Sequence, residues 1–289
     1  MSIADDPYPE LVRQLKQATP ASRAKAARSL GRLGWLAWDA MSALVAATDD
    51  ADKGVREAAA VAVGQMGPDA VPHLTRLLTH DDKYVRRQAV WALGKLGPLA
   101  GLALPGLVTA LADPDPRTAS GAAQALGNMG PDAAEAVLPL TEAMRGTNIV
   151  LCRLAAKALS QVGRPALPQL LAHLRHRDPF VRGEAALALG WMGPAAATAV
   201  FALMEALKAS GSGVRLVSPS ENVARTPATA VAPSPAGDPA EASRVNAALA
   251  LGRIGSAAAA AVPALQAVSH DPHEPLRQAA LLAMRQIKG

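Results

Sequence analysis

The chain has 289 residues, half of them apolar, yet it carries only four Trp, two Tyr and two Phe. That excludes a thick, aromatic-filled globular centre and leaves Ala, Leu, Val and Met to build a core between closely approaching helices. The formal charge of +5 is too small a bias to argue for nucleic acid on its own. The single cysteine, Cys152, excludes an intrachain disulfide and fits a reducing, cytoplasmic setting. No basic start leads into an apolar run and no stretch of about 18 apolar residues is uninterrupted, so the expectation is no signal peptide and no membrane span.

In chain order, one pattern returns eight times: SRAKAARSLGRLG at 22–34, VREAAAVAVGQMG at 55–67, VRRQAVWALGKLG at 85–97, TASGAAQALGNMG at 118–130, LCRLAAKALSQVG at 151–163, VRGEAALALGWMG at 181–193, RVNAALALGRIG at 244–255 and LRQAALLAMRQIK at 276–288. Apolar residues at spacings of 3, 4 and 7 make each copy an amphipathic helix. The first glycine of the copies stands at 31, 64, 94, 127, 190 and 252, with Ser160 and Arg285 in the same place in two copies. Most steps are 30 or 33 residues and one is 62. Such a period holds one helix pair and little else.

Counting Val85 as position zero, position four is Ala in every copy, from Ala26 to Ala280, and position eight is a large anchor such as Leu93 or Leu189. Small residues let neighbouring helices approach. Ahead of the first six copies stand Thr19, Asp52, Asp82, Asp115, Asn148 and Asp178, all able to accept from an orphan amide as N-caps. The last two copies put Ala240 and His273 there, with Asp238 and Asp271 two residues earlier, which predicts a different start. Shorter apolar segments lie between the copies, several with Pro near the first turn, at Pro72, Pro105, Pro139, Pro168 and Pro263. The three residues that separate the two repeat lengths belong at that entrance. Residues 209–239 are rich in Pro, Ser, Thr and Ala without helical period and read as a long loop inserted in the seventh repeat. The prediction is an all-α solenoid of about eight helix pairs in one domain over 1–289.

The unit DxxVRxxAAxALGxxGPxA, fullest at Asp82 to Ala100 and Asp178 to Ala195, resembles the short HEAT-type repeat of the phycobilisome lyase family. The resemblance covers all but the insertion. It implies a HEAT-like solenoid and leaves function open.

The arginines after position zero, Arg23, Arg56, Arg86, Arg182, Arg244 and Arg277, fall at repeat spacing beside the acidic caps and are expected to form an ion-pair ladder. Positions two, three, six and ten point away from the buried stripe and would line the inner, concave face of a solenoid. That face carries eight basic residues against two acidic ones. The candidate partner-binding residues on it are Arg28, Arg32, Arg87, Trp91, Lys95, Arg153, Lys157, Glu184, Trp191 and Arg253. Tyr84 and Phe180 stand at the mouths of the same two helices as the tryptophans, and aromatics beside Arg are frequent interface anchors.

No phosphate loop, HExxH motif, Cys pair or nucleophile elbow occurs, so no catalytic residue, metal or cofactor is expected. His270, Asp271, His273 and Glu274 are close enough to invite a metal but read more simply as a helix-start loop. The reading is a non-enzymatic scaffold, adaptor or assembly factor for a protein with an acidic or extended segment. The alternatives are a bilin lyase or chromophore chaperone, implied by the resemblance, and a nucleic-acid binder.

Overall fold

The computed structural model describes residues 8–17, 19–208 and 238–289. The predicted inserted loop lies outside the described residues except for Asp238 and Pro239, which open a helix. The chain divides into two compact units, 1–133 and 134–289.

Unit 1 holds four helix pairs: α1 (Tyr8–Gln17) with α2 (Pro20–Leu33), α3 (Met41–Ala47) with α4 (Lys53–Gln65), α5 (Val71–Leu77) with α6 (Lys83–Leu96), and α7 (Leu104–Ala110) with α8 (Pro116–Met129). Unit 2 repeats the plan with α9 (Val137–Met144) and α10 (Ile149–Val162), α11 (Leu167–His173) and α12 (Pro179–Met192), α13 (Val200–Lys208) and α14 (Pro239–Ile254), and α15 (Val262–Val268) and α16 (Glu274–Lys288). The fold is an α-solenoid of helix pairs, each pair a short helix followed by a long one.

Every long helix but α16 starts on a side-chain cap. Thr19, Asp52, Asp82, Asp115, Asn148 and Asp178 accept from amides two or three residues on, which satisfies donors that the first turn leaves open. The different start at the seventh copy is real: Asp238 accepts from the Ala240 amide and lengthens α14 to 16 residues. At α16, His273 takes the cap position without a side-chain bond.

Each long helix but α16 ends near a glycine of positive φ, namely Gly34, Gly67, Gly97, Gly130, Gly163, Gly193 and Gly255. Any Cβ would strain that conformation. The chain then enters a 3-10 turn, seven residues long after Gly97 but three long at 68–70 and 164–166. The two short turns belong to the 30-residue repeats, so the length difference sits at the predicted entrance.

The buried stripe is as the pattern implies. Ala59, Ala89, Ala122, Ala155, Ala185, Ala247 and Ala280 have no exposed surface, and Leu30, Leu93, Leu126, Leu159, Leu189 and Leu251 anchor it. The glycine seven residues before Val71 shows how close neighbours come: a Cβ on Gly64 would lie 2.5 Å from the Ala92 Cβ.

Counted through their turns, the runs 83–110, 179–208 and 239–268 are long and apolar enough to cross a membrane by length and composition, with mean hydropathy of 1.3, 1.6 and 1.5 in their most apolar windows. Each is broken by its left-handed glycine, at 97, 193 and 255. Their apolar faces are spent on packing between repeats, as the buried stripes of α6, α12 and α14 show.

Candidate functional site

The ladder of arginines is largely a lattice of structural ion pairs. Arg23 reaches Asp50, Arg86 reaches Asp113 and Arg244 reaches Asp271, each an aspartate two residues ahead of the next helix cap position, while Arg56 reaches the cap Asp82 itself. Arg182 and Arg277 donate to turn carbonyls, at His176 and Arg177 and at Asp271 and Pro272. Ala119 and Cys152 break the run, and Cys152 is buried with its thiol donating to the Gly146 carbonyl.

The histidines serve turns. His80 Nδ1 accepts from the Asp82 amide and its Nε2 lies 2.9 Å from Asp49, while His176 Nδ1 accepts from the Asp178 amide. Burial and the nearby Arg145 push the His176 imidazolium below its ordinary pKa. Among the described residues no group of three His, Cys, Asp or Glu side chains could hold a metal.

Residues at positions two, three, six and ten line grooves within each unit, one between α6 and α8 in unit 1 and, in unit 2, one at α10, α12 and α14 and another between α14 and α16. In unit 1, α6 and α8 bound a groove of about 450 Å³ lined by Arg87, Gln88, Trp91, Lys95, Arg117, Gln124 and Asn128. Trp91 is 52% exposed and Lys95 Nζ lies 5.4 Å from its ring centroid. Arg87 is not the loose cation that the pattern implied. Its guanidinium donates to both oxygens of Asp115, the cap of α8, at 2.7 and 2.5 Å. It also lies 5.0 Å from the Tyr84 ring centroid, over which Lys53 Nζ sits at 3.6 Å. Tyr84 is thereby occupied within the protein, and the other cations that line this groove are Lys95 and Arg117.

In unit 2, α10, α12 and α14 bound a second groove of about 410 Å³, lined by Arg153, Phe180, Glu184, Leu187, Trp191, Ser243 and Asn246. Glu184 is 3% exposed and its Oε1 lies 3.5 Å from Arg153 Nε, whose own side chain is 66% exposed. Trp191 is 43% exposed. The Asn246 amide donates to the Gly183 carbonyl at 3.3 Å and ties α14 to α12.

Thus Arg87, Trp91 and Lys95 come together, as do Arg153, Glu184 and Trp191. Arg28 and Arg32 are exposed on α2, where Arg32 donates to Ser29. Lys157 is exposed on α10 and Arg253 on α14, the latter 3.5 Å from where a Cβ would stand on Gly190. None of these four lines any of these grooves. Arg117 and Ser243 were missed. Arg117 is one residue before position zero, the column of Tyr84 and Phe180, so that column held the signal.

The sequence matches the family described as HEAT repeats over residues 8–94, 75–149 and 137–218. The chain belongs to the HEAT repeat family. Residues 243–271 also match the PBS lyase HEAT-like repeat. No curated protein matches the chain. Among solved structures, this HEAT repeat chain is similar to importin beta, with a TM-score of 0.65 and 15% identity, covering 97% of this chain and 41% of that one. It therefore spans about two fifths of importin beta's length. YibA from E. coli gives a TM-score of 0.50 at 17% identity, covering 97% of this chain and 92% of YibA. The complex of CpcE and CpcF of the phycocyanin lyase from Nostoc gives 0.45 at 20% identity, covering 100% of this chain and 97% of that one. At these identities the likeness is one of fold.

Proposed function

We propose that this HEAT repeat protein is a non-enzymatic scaffold or adaptor that holds a protein partner on the groove-bearing face of its long helices. The observation that carries the reading is that two of the four exposed tryptophans, Trp91 and Trp191, line grooves. Trp91, at position six of its copy, and Trp191, at position ten of its own, each stand half-exposed at a groove. An indole left in water loses a large favourable burial term, and a Trp with a cation beside it is the usual form of an interface anchor. In unit 1 the cations are Lys95 and Arg117, which supports a partner segment bearing carboxylates. Localisation in the cytoplasm and the absence of a cofactor belong to the same reading.

The test is purification of the tagged chain from its own cells, with and without nuclease, beside the Trp91→Ala/Trp191→Ala variant. A stoichiometric protein that survives nuclease and is lost from the variant supports the scaffold. Nucleic acid recovered in its place, and lost on nuclease treatment, overturns it in favour of phosphate binding by the same cations.

The bilin lyase reading rests on the match at residues 243–271. Mixing the chain with a bilin and an acceptor protein and recording the absorption spectrum decides it, because attachment changes the chromophore's conjugation.

A further inference from the structure

Arg117 stands at one end of the unit 1 groove and Lys95 at the other. The register of the two helices follows from their closest approaches: a Cβ on Gly94 would meet the Ala125 Cβ at 3.2 Å, and one on Gly121 would meet the Val90 Cγ1 at 2.9 Å. Each approach sets a residue of α8 beside the residue of α6 two positions later in the repeat. Arg117, one residue ahead of position zero on α8, is therefore level with position one of α6, while Lys95 holds position ten. Nine residues of helix separate the two cations along the groove, about 13 Å at 1.5 Å per residue. Trp91, at position six, falls close to midway.

Between these poles the groove offers no further charge. The Arg87 guanidinium is held by both oxygens of Asp115, and no acidic side chain is among the lining residues. Lys95 Nζ approaches the Trp91 ring at 5.4 Å, and neither Lys95 nor Arg117 has an ion-pair partner among the described residues. Gln88 and Gln124, also on the walls, make no side-chain hydrogen bond to a described residue. A phosphate strand carries a charge at every nucleotide and is held by a groove that is positive along its length. Two separated cations with a ring and two amides between them fit two carboxylates with an apolar side chain between.

The spacing then selects the backbone. An extended segment advances about 3.3 Å per residue and returns its side chains to one face at every second residue, so residues i, i+2 and i+4 present a single face over roughly 13 Å. A helix that rises as far turns its ninth residue to the opposite side, at about 100° per residue. The open N–H and C=O groups of an extended backbone also give Gln88 and Gln124 partners, whereas a helix satisfies its own.

We propose that the α6–α8 groove receives an extended segment of the protein partner with an acidic residue at i, a large apolar residue at i+2 and an acidic residue at i+4. The two carboxylates meet Arg117 and Lys95, and the middle side chain lies against Trp91. This rests on the scaffold reading and deepens it by naming what the partner presents to unit 1.

The experiment titrates the capped peptide Ser-Glu-Thr-Leu-Thr-Glu-Ser into the full chain at low salt while the Trp91 indole resonance is followed, assigned with Trp91→Phe. Its threonines favour the extended state. A saturable shift with a Kd on the order of 1 mM or below is expected. The peptide with Gln for both Glu should bind about fivefold more weakly or worse, the loss of two partly exposed ion pairs. The rearranged peptide Ser-Glu-Thr-Glu-Thr-Leu-Ser, of equal charge and composition, should also weaken. Arg117 and Lys95 are exposed, so Arg117→Glu and Lys95→Glu are expected to melt with the wild type while losing the peptide. Each should be rescued by a peptide with Lys in place of one Glu, a different Glu for each variant, which also gives the direction of the chain. Equal binding of the Gln or the rearranged peptide, no shift at about 10 mM peptide, ten times the Kd argued above, or no rescue overturns the proposal. An oligothymidylate that moves the same resonance at lower concentration overturns it in favour of a phosphate backbone. Failure of the peptide leaves the scaffold reading to the capture experiment, where a protein lost from Trp91→Ala/Trp191→Ala supports the scaffold whatever segment it presents.

Discussion

Arg86 donates through Nε and Nη2 to the two carboxylate oxygens of Asp113, 27 residues along, at 2.7 and 2.9 Å. The same guanidinium uses Nη1 on the carbonyls of His80 and Asp81. One side chain thus closes the turn before its own helix and fastens it to the turn before the next. Both partners are mostly buried, with 12% and 6% of their side chains exposed. Removing one partner leaves the other desolvated and unpaired, which costs about 3–5 kcal/mol for a buried pair and less here, where some water reaches the arginine. Asp113→Ala is expected to lower unfolding stability by about 2–3 kcal/mol, read from the shift of the urea midpoint. Arg13→Ala, which breaks an exposed pair with Glu10, serves as the neutral control.

The Asp115 carboxyl gives a pH prediction. Two hydrogen bonds from Arg87 hold its pKa far below the ordinary carboxylate range, against the opposing effect of burial, with help from the Thr118 amide and hydroxyl. A folded-state pKa below the unfolded one means that the unfolded chain binds more protons in acid. Its stabilisation is therefore complete above the ordinary aspartate value of about 4 and is lost as pH falls toward the folded value. Asp50, held low chiefly by Arg23, and Asp271, held low chiefly by the His273 amide, act in the same direction. Stability should decline gently below about pH 6.5, where the unfolded chain takes up a proton that folded His176 resists, and fall steeply below about 4. Asp115→Asn should start lower at neutral pH and lose less in acid. Urea midpoints at a series of pH values check it; parallel profiles for the two proteins refute the assignment.

The alternation of small and large residues was legible because it is dictated by contact between helices. Position four has to be alanine wherever a neighbouring helix crosses it, and Ala59, Ala89 and Ala185 are wholly buried. The caps were legible for the same local reason, since an aspartate's reach is two or three residues. The site was half legible. Trp91 and Trp191 fall on grooves as their register implied, but Arg87 looked like a surface cation because its partner, Asp115, is 28 residues away and already explained as a cap. Lateral pairing between repeats is not written in either repeat alone. Ser243 escaped notice because a serine on an alanine-rich helix is unremarkable until the groove beside it is seen.

Among the glycines without positive φ, Gly190 and Gly101 contrast. On Gly190 a Cβ would stand 2.9 Å from the Ala250 Cα and 3.2 Å from its Cβ, so α12 and α14 must separate to admit a methyl group. Gly101, in the 3-10 turn before α7, has nothing within 4 Å of its would-be Cβ and an ordinary backbone conformation. Gly190→Ala is expected to destabilise by about 1–3 kcal/mol through overpacking. Gly101→Ala is expected to stabilise by about 0.4–1 kcal/mol through the unfolded chain's lost freedom. Thermal midpoints that move in opposite directions are the expected outcome.

Trp91 and Leu93 are two residues apart on α6, with one half-exposed on the groove and the other wholly buried. The contrast separates function from fold. Leu93→Ala removes methyl groups from a site with no exposure and should cost about 2–5 kcal/mol of stability. Trp91→Ala removes a half-exposed ring that Lys95 Nζ approaches to 5.4 Å, so its stability cost should stay within about 1 kcal/mol. Its cost to partner affinity should be about 2 kcal/mol or more if the indole is an anchor, close to a thirtyfold rise in Kd. Folding is followed by circular dichroism melts and binding by calorimetry with the captured partner. A Trp91→Ala protein that melts early and binds normally would make the ring part of the core and remove it from the interface.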